Sequence, residues 1–430
     1  MPAAVDLTNL ANTTLKVHYD KKKMESMAFG ADVTVGSMMK DPEAKLEGPG
    51  KTFNFPALAQ NAGGVSNSFA QAQALSTTTG LVGAQFAVPL VRTYSVWTVD
   101  ALALESGQND GAFVDTLKTL VDGGYEGVGG SLSTQVYRDG YGWIARLNLL
   151  NGVAGGTSSI SGASITLLNP ENDINFLVNH QYFFASAPNA DARNAGGTLT
   201  CSAVNDGVVT FTANVSTLNQ VVDGDYIFPL GARVLTGATT SNQLAIAGFD
   251  AWITGGATFM GVNTGLHWSL QGVNVDLSAQ GTNVLDGLIT FLTKLGRRKG
   301  KINRVVMNDS RMGDLIALME TRKMAIQGTT VKSATGSIMY DAIKFFSSAG
   351  TAEITRAPSC PTDAVYAYNS EKVTLISAGD TVRYTDRDGK MILRQGTNDG
   401  YEGRTFSYSN LVVRNPGQSL GRLVLAPRTP

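Results

Sequence analysis

The three histidines and two cysteines of this 430-residue chain are the first residues to test for metal-binding or nucleophilic chemistry. A transition-metal site needs three or four converging Cys, His or carboxylate ligands, which often show as short ligand spacings. His18, His180, His267, Cys201 and Cys360 stand apart from one another, and the two cysteines make neither a metal spacing nor a disulfide framework. A nucleophilic Ser or Cys needs a base within hydrogen-bond reach, and no nucleophile elbow or similar string provides that context. "GGYEGVGG", residues 123–130, has the glycine density of a phosphate-cradling loop. It lacks the preceding strand, the GxGxxG order and the following Lys-Ser/Thr that nucleotide binding requires. Asn308, Asp309 and Ser310 read as a helix cap, since a short polar side chain there can accept from the first free amides. No catalytic residue, cofactor or metal is expected, and the chain reads as a structural protein rather than an enzyme.

Composition points the same way. Charged residues make up 16% of the chain, against the usual quarter, while 43% are hydrophobic and 48 are glycine. Such a chain can build a large core and many turns, and it leaves wide surfaces poor in charge that suit burial against partners. A net charge of −1 excludes a chain-wide electrostatic attraction to nucleic acid. The dense basic runs are Lys21, Lys22 and Lys23 and "GRRKGK" at 296–301. The N-terminus has no signal-peptide pattern, and no apolar run reaches the ~18–20 residues of a membrane helix, so no membrane partner is expected.

The elements that must organise these residues are of mixed α+β type. Residues 1–30 read as a loose arm. Residues 31–78 read as two extended limbs about a tip near Pro49–Gly50, with Phe53 and Phe55 alternating with Thr52 and Asn54. Residues 81–100 have strand composition, and Pro89 marks an edge or a bulge. A helix is expected over about 109–139, because Phe113, Leu117, Leu120, Gly124, Val128 and Leu132 recur at gaps of three and four. Its five glycines between 123 and 130 predict either a kink or a close approach by another part of the chain. A β block follows over 155–255, with Asp206–Gly207 as a hairpin turn. Residues 282–325 alternate helix, strand and helix, which predicts a small α/β unit, and the remainder is mostly strands with a hairpin at Asp388–Gly389.

This order of pieces resembles the major capsid protein of tailed bacteriophages, the HK-ninety-seven-like shell fold. The strings similar to that family are "GYGWIARLNLLNG" after the helix, "GDYIF" at 224–228, "GFDAWI" at 248–253, "FMGVNT" at 259–264, "VVMNDSRMGDL" and "EGRTFSYSNLVVRNPG". The resemblance implies an N-arm (1–30), an extended E-loop (31–78) and a P-domain with a spine helix (79–150). It further implies a β-rich insertion (155–255), an A-domain (256–375) and closing P-domain strands (376–430). It implies self-assembly into hexamers and pentamers of an icosahedral head that encloses double-stranded DNA. The expected partners are copies of the chain, a separate scaffolding protein, a portal and an optional decoration protein. The location so implied is the virion, assembled in host cytoplasm. Phe53, Phe55, Phe69 and Lys51 become expected E-loop contacts with a neighbouring subunit, and Lys21, Lys22 and Lys23 become expected weak DNA contacts. Some members bond an E-loop lysine to a neighbour's asparagine; Lys40, Lys45, Lys51 and Asn410 occupy the corresponding regions, and no string singles out a pair.

Other readings remain at this level. An encapsulin-like nanocompartment shares the shell fold, although the β insertion argues against it. A β-rich tail or adhesin protein fits the Gly, Thr and Asn content but not the α/β unit at 282–325.

Overall fold

The computed structural model describes residues 52–60, 64–78, 82–100, 110–148, 159–215, 221–235, 244–254, 258–321, 342–378, 382–384, 393–395 and 399–426. The expected arm, Lys21, Lys22, Lys23, Lys51, the first limb and the Asp388–Gly389 turn lie outside these residues.

The described residues open with β1 (Thr52–Gln60), helix α1 (Phe69–Thr78), β2 (Val82–Pro89) and β3 (Val91–Asp100), followed by the long helix α2 (Asp110–Val136). The insertion supplies β4 (Ala145–Arg146), β5 (Ile160–Ser161), β6 (Ser164–Thr166), β7 (Gln181–Ala185), β8 (Leu199–Asn205), β9 (Val208–Phe211) and β10 (Tyr226–Pro229). Then come α3 (Phe249–Thr254), the small hairpin β11 (Thr258–Phe259) and β12 (Val262–Asn263), β13 (Val273–Asp276), α4 (Val284–Arg297), β14 (Arg304–Met307) and α5 (Asp309–Thr321). The closing strands are β15 (Ala342–Ser347), β16 (Gly350–Arg356), β17 (Ala364–Tyr368), β18 (Val373–Ser377), β19 (Leu393–Arg394), β20 (Gly400–Val413) and β21 (Leu420–Val424).

Helix α2 is continuous and, at 27 residues, about 40 Å long. Val121, Tyr125, Val128, Leu132 and Val136 form its buried stripe. It lies on a sheet in which β20 pairs antiparallel with β3, from Gly400↔Asp100 to Ser409↔Val91. The glycines divide by environment. A Cβ on Gly124 would stand 2.9 Å from Thr405 Oγ1 and 3.3 Å from Trp97, so that glycine lets the helix settle on the sheet, whereas Gly123 and Gly130 face open space. Trp97 sits directly across from Gly403, where any Cβ would overlap the indole. Gly403→Ala is therefore expected to lower stability by about 1–3 kcal/mol through overpacking. Gly123→Ala is expected to raise it by about 0.8–1 kcal/mol through helix propensity. Urea unfolding midpoints of the two variants check both signs.

The insertion forms one seven-stranded sheet in the order β4-β10-β7-β8-β9-β6-β5. Asp206 and Gly207 have φ of 44° and 76°, and close the β8–β9 hairpin as a two-residue turn. The sheet begins at Ala145, earlier than the expected boundary. The block's expected end, "GFDAWI", belongs to the body instead: α3 places Trp252 5.3 Å from the Phe86 ring in the main core.

The α/β unit has a six-stranded sheet, β13-β21-β17-β14-β16-β15, with α4 and α5 packed into the same apolar core. Asn308 caps α5 by accepting the Ser310 N–H at 3.0 Å. The last strand of the segment 376–430 lies in this sheet and not beside β20. β21 pairs with β13 and β17. Its Leu420 and Leu423 are fully buried, and Gly421 leaves room for the Phe291 ring of α4, which a Cβ would approach to 2.8 Å.

Candidate assembly surfaces

The hairpin that carries Phe53 and Phe55 closes on its own chain. β1 pairs antiparallel with β2, from Thr52↔Pro89 through Phe55↔Phe86. Period-2 alternation turns Phe53 and Phe55 to one face. There Phe55 stacks on Phe86 at 5.2 Å and lies 6.2 Å from Trp252, which leaves it 7% exposed. Phe53 is half-buried, 6.1 Å from Phe55. The expectation that Phe55 anchors in a neighbour is thus corrected: its partner strand lies beyond the loop, at 82–89, a segment read as strand from its composition but not as the partner of this limb. Pro89 ends β2 at the point where the chain changes sheets. Phe55→Ala is expected to destabilise the single chain by about 3–5 kcal/mol. Phe69→Ala should stay within about 0.5 kcal/mol, as an exposed site does. Thermal melts of the two variants separate these outcomes.

The far end of this hairpin is helical rather than extended. Residues 65–78, VSNSFAQAQALSTT, carry no charge, and their Ala and Gln content favours helix. Phe69 is 84% exposed and Val65 95% exposed, with Leu75 also on the surface. A ten-residue helix is below the ~12–15 residues at which isolated helices become even marginally stable in water. Such a helix gains stability when its apolar side chains are covered.

A second uncovered surface lies on the β3–β20 sheet, on the side opposite α2. Alternation sends Trp97, Thr405 and Ser407 inward and Tyr94, Val96, Phe406 and Tyr408 outward. Tyr94 and Val96 are 52% and 53% exposed. The rings of Phe406 and Tyr408 are 5.1 Å apart, Tyr94 meets Tyr408 edge-on at 6.1 Å, and the Arg92 guanidinium lies 5.7 Å over Tyr408. Arg404 reaches Glu402 at 2.5 Å on the same side. Exposed apolar and aromatic side chains gathered in this way mark interaction surfaces. Sequence reasoning missed this one, although the alternation in "VRTYSVWTVD" and "RTFSYS" was the available signal.

The remaining expected residues do not converge. Asn410 is buried; its Oδ1 accepts the Ala247 and Leu411 N–H groups at 3.1 and 2.8 Å, and its Nδ2 donates to the Pro89 carbonyl at 2.6 Å. An amide engaged in this way is not open to a lysine from another subunit. Cys201 is buried in the insertion core, where desolvation pushes its thiol up, and Cys360 is buried in the main core. His267 Nδ1 lies 2.7 Å from Ser269 Oγ and helps cap a short turn. Arg298 of the basic run sits 5.9 Å over Trp268. Among the described residues no group of three or more His, Cys, Asp and Glu could hold a metal, and no helix is long and apolar enough to cross a membrane.

No family model and no curated protein matches this sequence. Solved structures do. A chain of the cyanophage A-1(L) capsid asymmetric unit aligns over 92% of both chains with a TM-score of 0.52 at 10% identity. A chain from the capsid of a native GTA particle aligns over 91% of this chain and 90% of its own, with a TM-score of 0.42 at 11% identity. The holo-SrpI encapsulin of Synechococcus elongatus PCC 7942 aligns over 89% and 85%, with a TM-score of 0.38 at 7% identity. The latter two scores carry no conclusion. The cyanophage match spans nearly the whole of both chains, and the α+β architecture, long helix and α/β unit occur in the expected order: this chain has the HK-ninety-seven-like shell fold of phage capsid proteins.

Proposed function

We propose that this chain is the major capsid subunit of a tailed phage, a structural protein that builds hexamers and pentamers into an icosahedral head around double-stranded DNA. The observation that carries the reading is the uncharged tip at residues 64–78, which a chain of this fold holds out from its own core with Phe69 and Val65 exposed. The tip of one copy lies over the outer sheet face of a neighbour, where Tyr94, Val96, Phe406 and Tyr408 receive it. Each buried Phe contributes roughly 1.5–3 kcal/mol, and the contact recurs with every subunit. Phe53, on the hairpin stem, and Lys51, just before it, flank this contact. Lys21, Lys22 and Lys23 meet packaged DNA through weak, salt-sensitive phosphate contacts. Scaffolding and portal proteins set the size of the head and one special vertex, and a decoration protein can add to the outside.

Sedimentation velocity of the purified chain, with and without a co-expressed scaffolding protein, tests the reading. Fast-sedimenting, uniform particles in either preparation support it. A single-chain boundary in both, at concentrations well above those of the expression host, rejects it.

A further inference from the structure

The β insertion joins the body through a narrow neck. One crossing leaves the end of α2 at residues 137–146, and the other returns at 244–249. The crossings run side by side: the Ala245 N–H donates to the Gly140 carbonyl at 3.3 Å, and the Ile246 N–H to Gln135 Oε1 at 3.0 Å. Gly140 and Gly142 adopt φ of 90° and 77°, which other residues resist. Gly248 lies so close to the end of α2 that any Cβ would overlap the carbonyls of Gln135 and Val136. Beyond the neck, Thr134 Oγ1 donates to Asn175 Oδ1 at 2.9 Å, and Asn169 Nδ2 to Asp363 Oδ1 at 3.4 Å. The insertion has its own apolar cores, around Phe184, Phe211 and Ile227 and around Phe183 and Phe228, distinct from that of the body. A lobe with separate cores on a two-crossing neck has the geometry of a hinged unit.

Ionisable groups crowd this neck. Arg138, 1% exposed, lays its guanidinium 3.7 Å from the Trp143 ring and donates from Nη2 to the Ile144 carbonyl at 3.2 Å. Asp139 follows, half-buried, its Oδ1 accepting the Tyr141 N–H at 3.2 Å. Around it stand Arg138, Tyr141 and Trp143 of the neck, Asp250 of α3, and Tyr226 and Arg233 of the insertion. Asp250 in turn meets Arg422 and Tyr366 of the α/β unit.

We propose that this neck is a proton-gated hinge: with Asp139 neutral the insertion stays seated on the end of α2, and with Asp139 ionised it moves more freely. Desolvation, with a smaller push from Asp250, lifts the Asp139 carboxyl to about 6, against the pull of the Tyr141 N–H, Trp143 and Arg138. The seated neck therefore holds a proton that an open, solvated neck would release. Its advantage is complete below the ordinary carboxyl value of 3.8, is lost as pH rises through about 6, and changes no further above that. The hinge belongs to the single subunit and does not depend on whether copies form a shell.

Hydrogen–deuterium exchange on the purified chain reads it directly, at about pH 5 and about pH 7.5, which bracket the Asp139 midpoint, with intrinsic rates divided out. Peptides covering 140–147 and 244–249 should exchange several-fold faster at the higher pH, while β14 and β17 stay constant. In Asp139→Asn, which keeps an oxygen for the Tyr141 N–H, the step should vanish and the neck stay protected at both values. The wild-type pH series needs no variant: a midpoint near 6 supports the hinge. A neck whose protection ignores pH, or an Asp139→Asn chain that keeps the step, overturns it.

Discussion

In Phe69→Asp the purified chain is expected to keep its melting transition and to lose its large particles. The ring is 84% exposed within the subunit, so a carboxylate there disturbs no packing and stability should move by no more than about 0.5 kcal/mol. At the proposed contact between copies the same change removes roughly 1.5–3 kcal/mol of apolar burial. It also requires a carboxylate to give up water against Val96, Phe406 and Tyr408, a cost that Arg92, held over the Tyr408 ring, offsets only in part. Because the contact repeats in every subunit, modest losses per copy multiply into failure to close. Phe69→Leu keeps the apolar volume and should still assemble. Light scattering and sedimentation of the three proteins read the outcome, and Phe69→Asp particles equal to wild type in yield and size would remove the tip from the contact.

The second large effect concerns the subunit itself. Asp250 of α3 is buried and accepts from Arg422 Nη1 at 2.7 Å, and the Tyr366 hydroxyl lies 2.9 Å from the same oxygen. This group ties α3 to β17 and β21, and so ties the body to the C-terminal strand. Burial lifts the Asp250 carboxyl despite the pull of Arg422. Arg422→Met leaves that carboxylate without its cation and is expected to cost about 3–5 kcal/mol. Asp250→Leu combined with Arg422→Met removes both charges and should be less damaging than Arg422→Met alone, since no uncompensated charge remains. Denaturant midpoints of the single and double variants check this. A double variant weaker than the single would show that the pair's hydrogen bonds, rather than the stranded charge, dominate.

Much of the architecture was legible because its signals are local. The gaps of three and four in residues 113–132 belong to one helix, and Asp206–Gly207 carries its own turn geometry. Asn308 caps from two residues away. The parts that were not legible depend on partners distant in sequence. The strand beside Phe55 lies at 82–89, and residues 61–81 intervene, so the two limbs could not be matched from composition. β21 reads like any short apolar strand, and only the gap under Phe291, filled by Gly421, places it in the α/β sheet. Trp97 and Gly403 are neighbours across a sheet although some three hundred positions separate them in the sequence. The candidate surfaces follow the same division. The resemblance makes Phe69 and Phe55 expected contacts alike, yet Phe69 is exposed and Phe55 is buried, because only the fold decides which faces the core.

Electron cryomicroscopy of the purified, assembled chain bears most directly on the shell-building role. The account predicts closed icosahedral particles in whose wall residues 64–78 of each subunit rest on residues 91–97 and 404–408 of another. Dispersed single chains, or shells in which that aromatic sheet face stays bare, would contradict it.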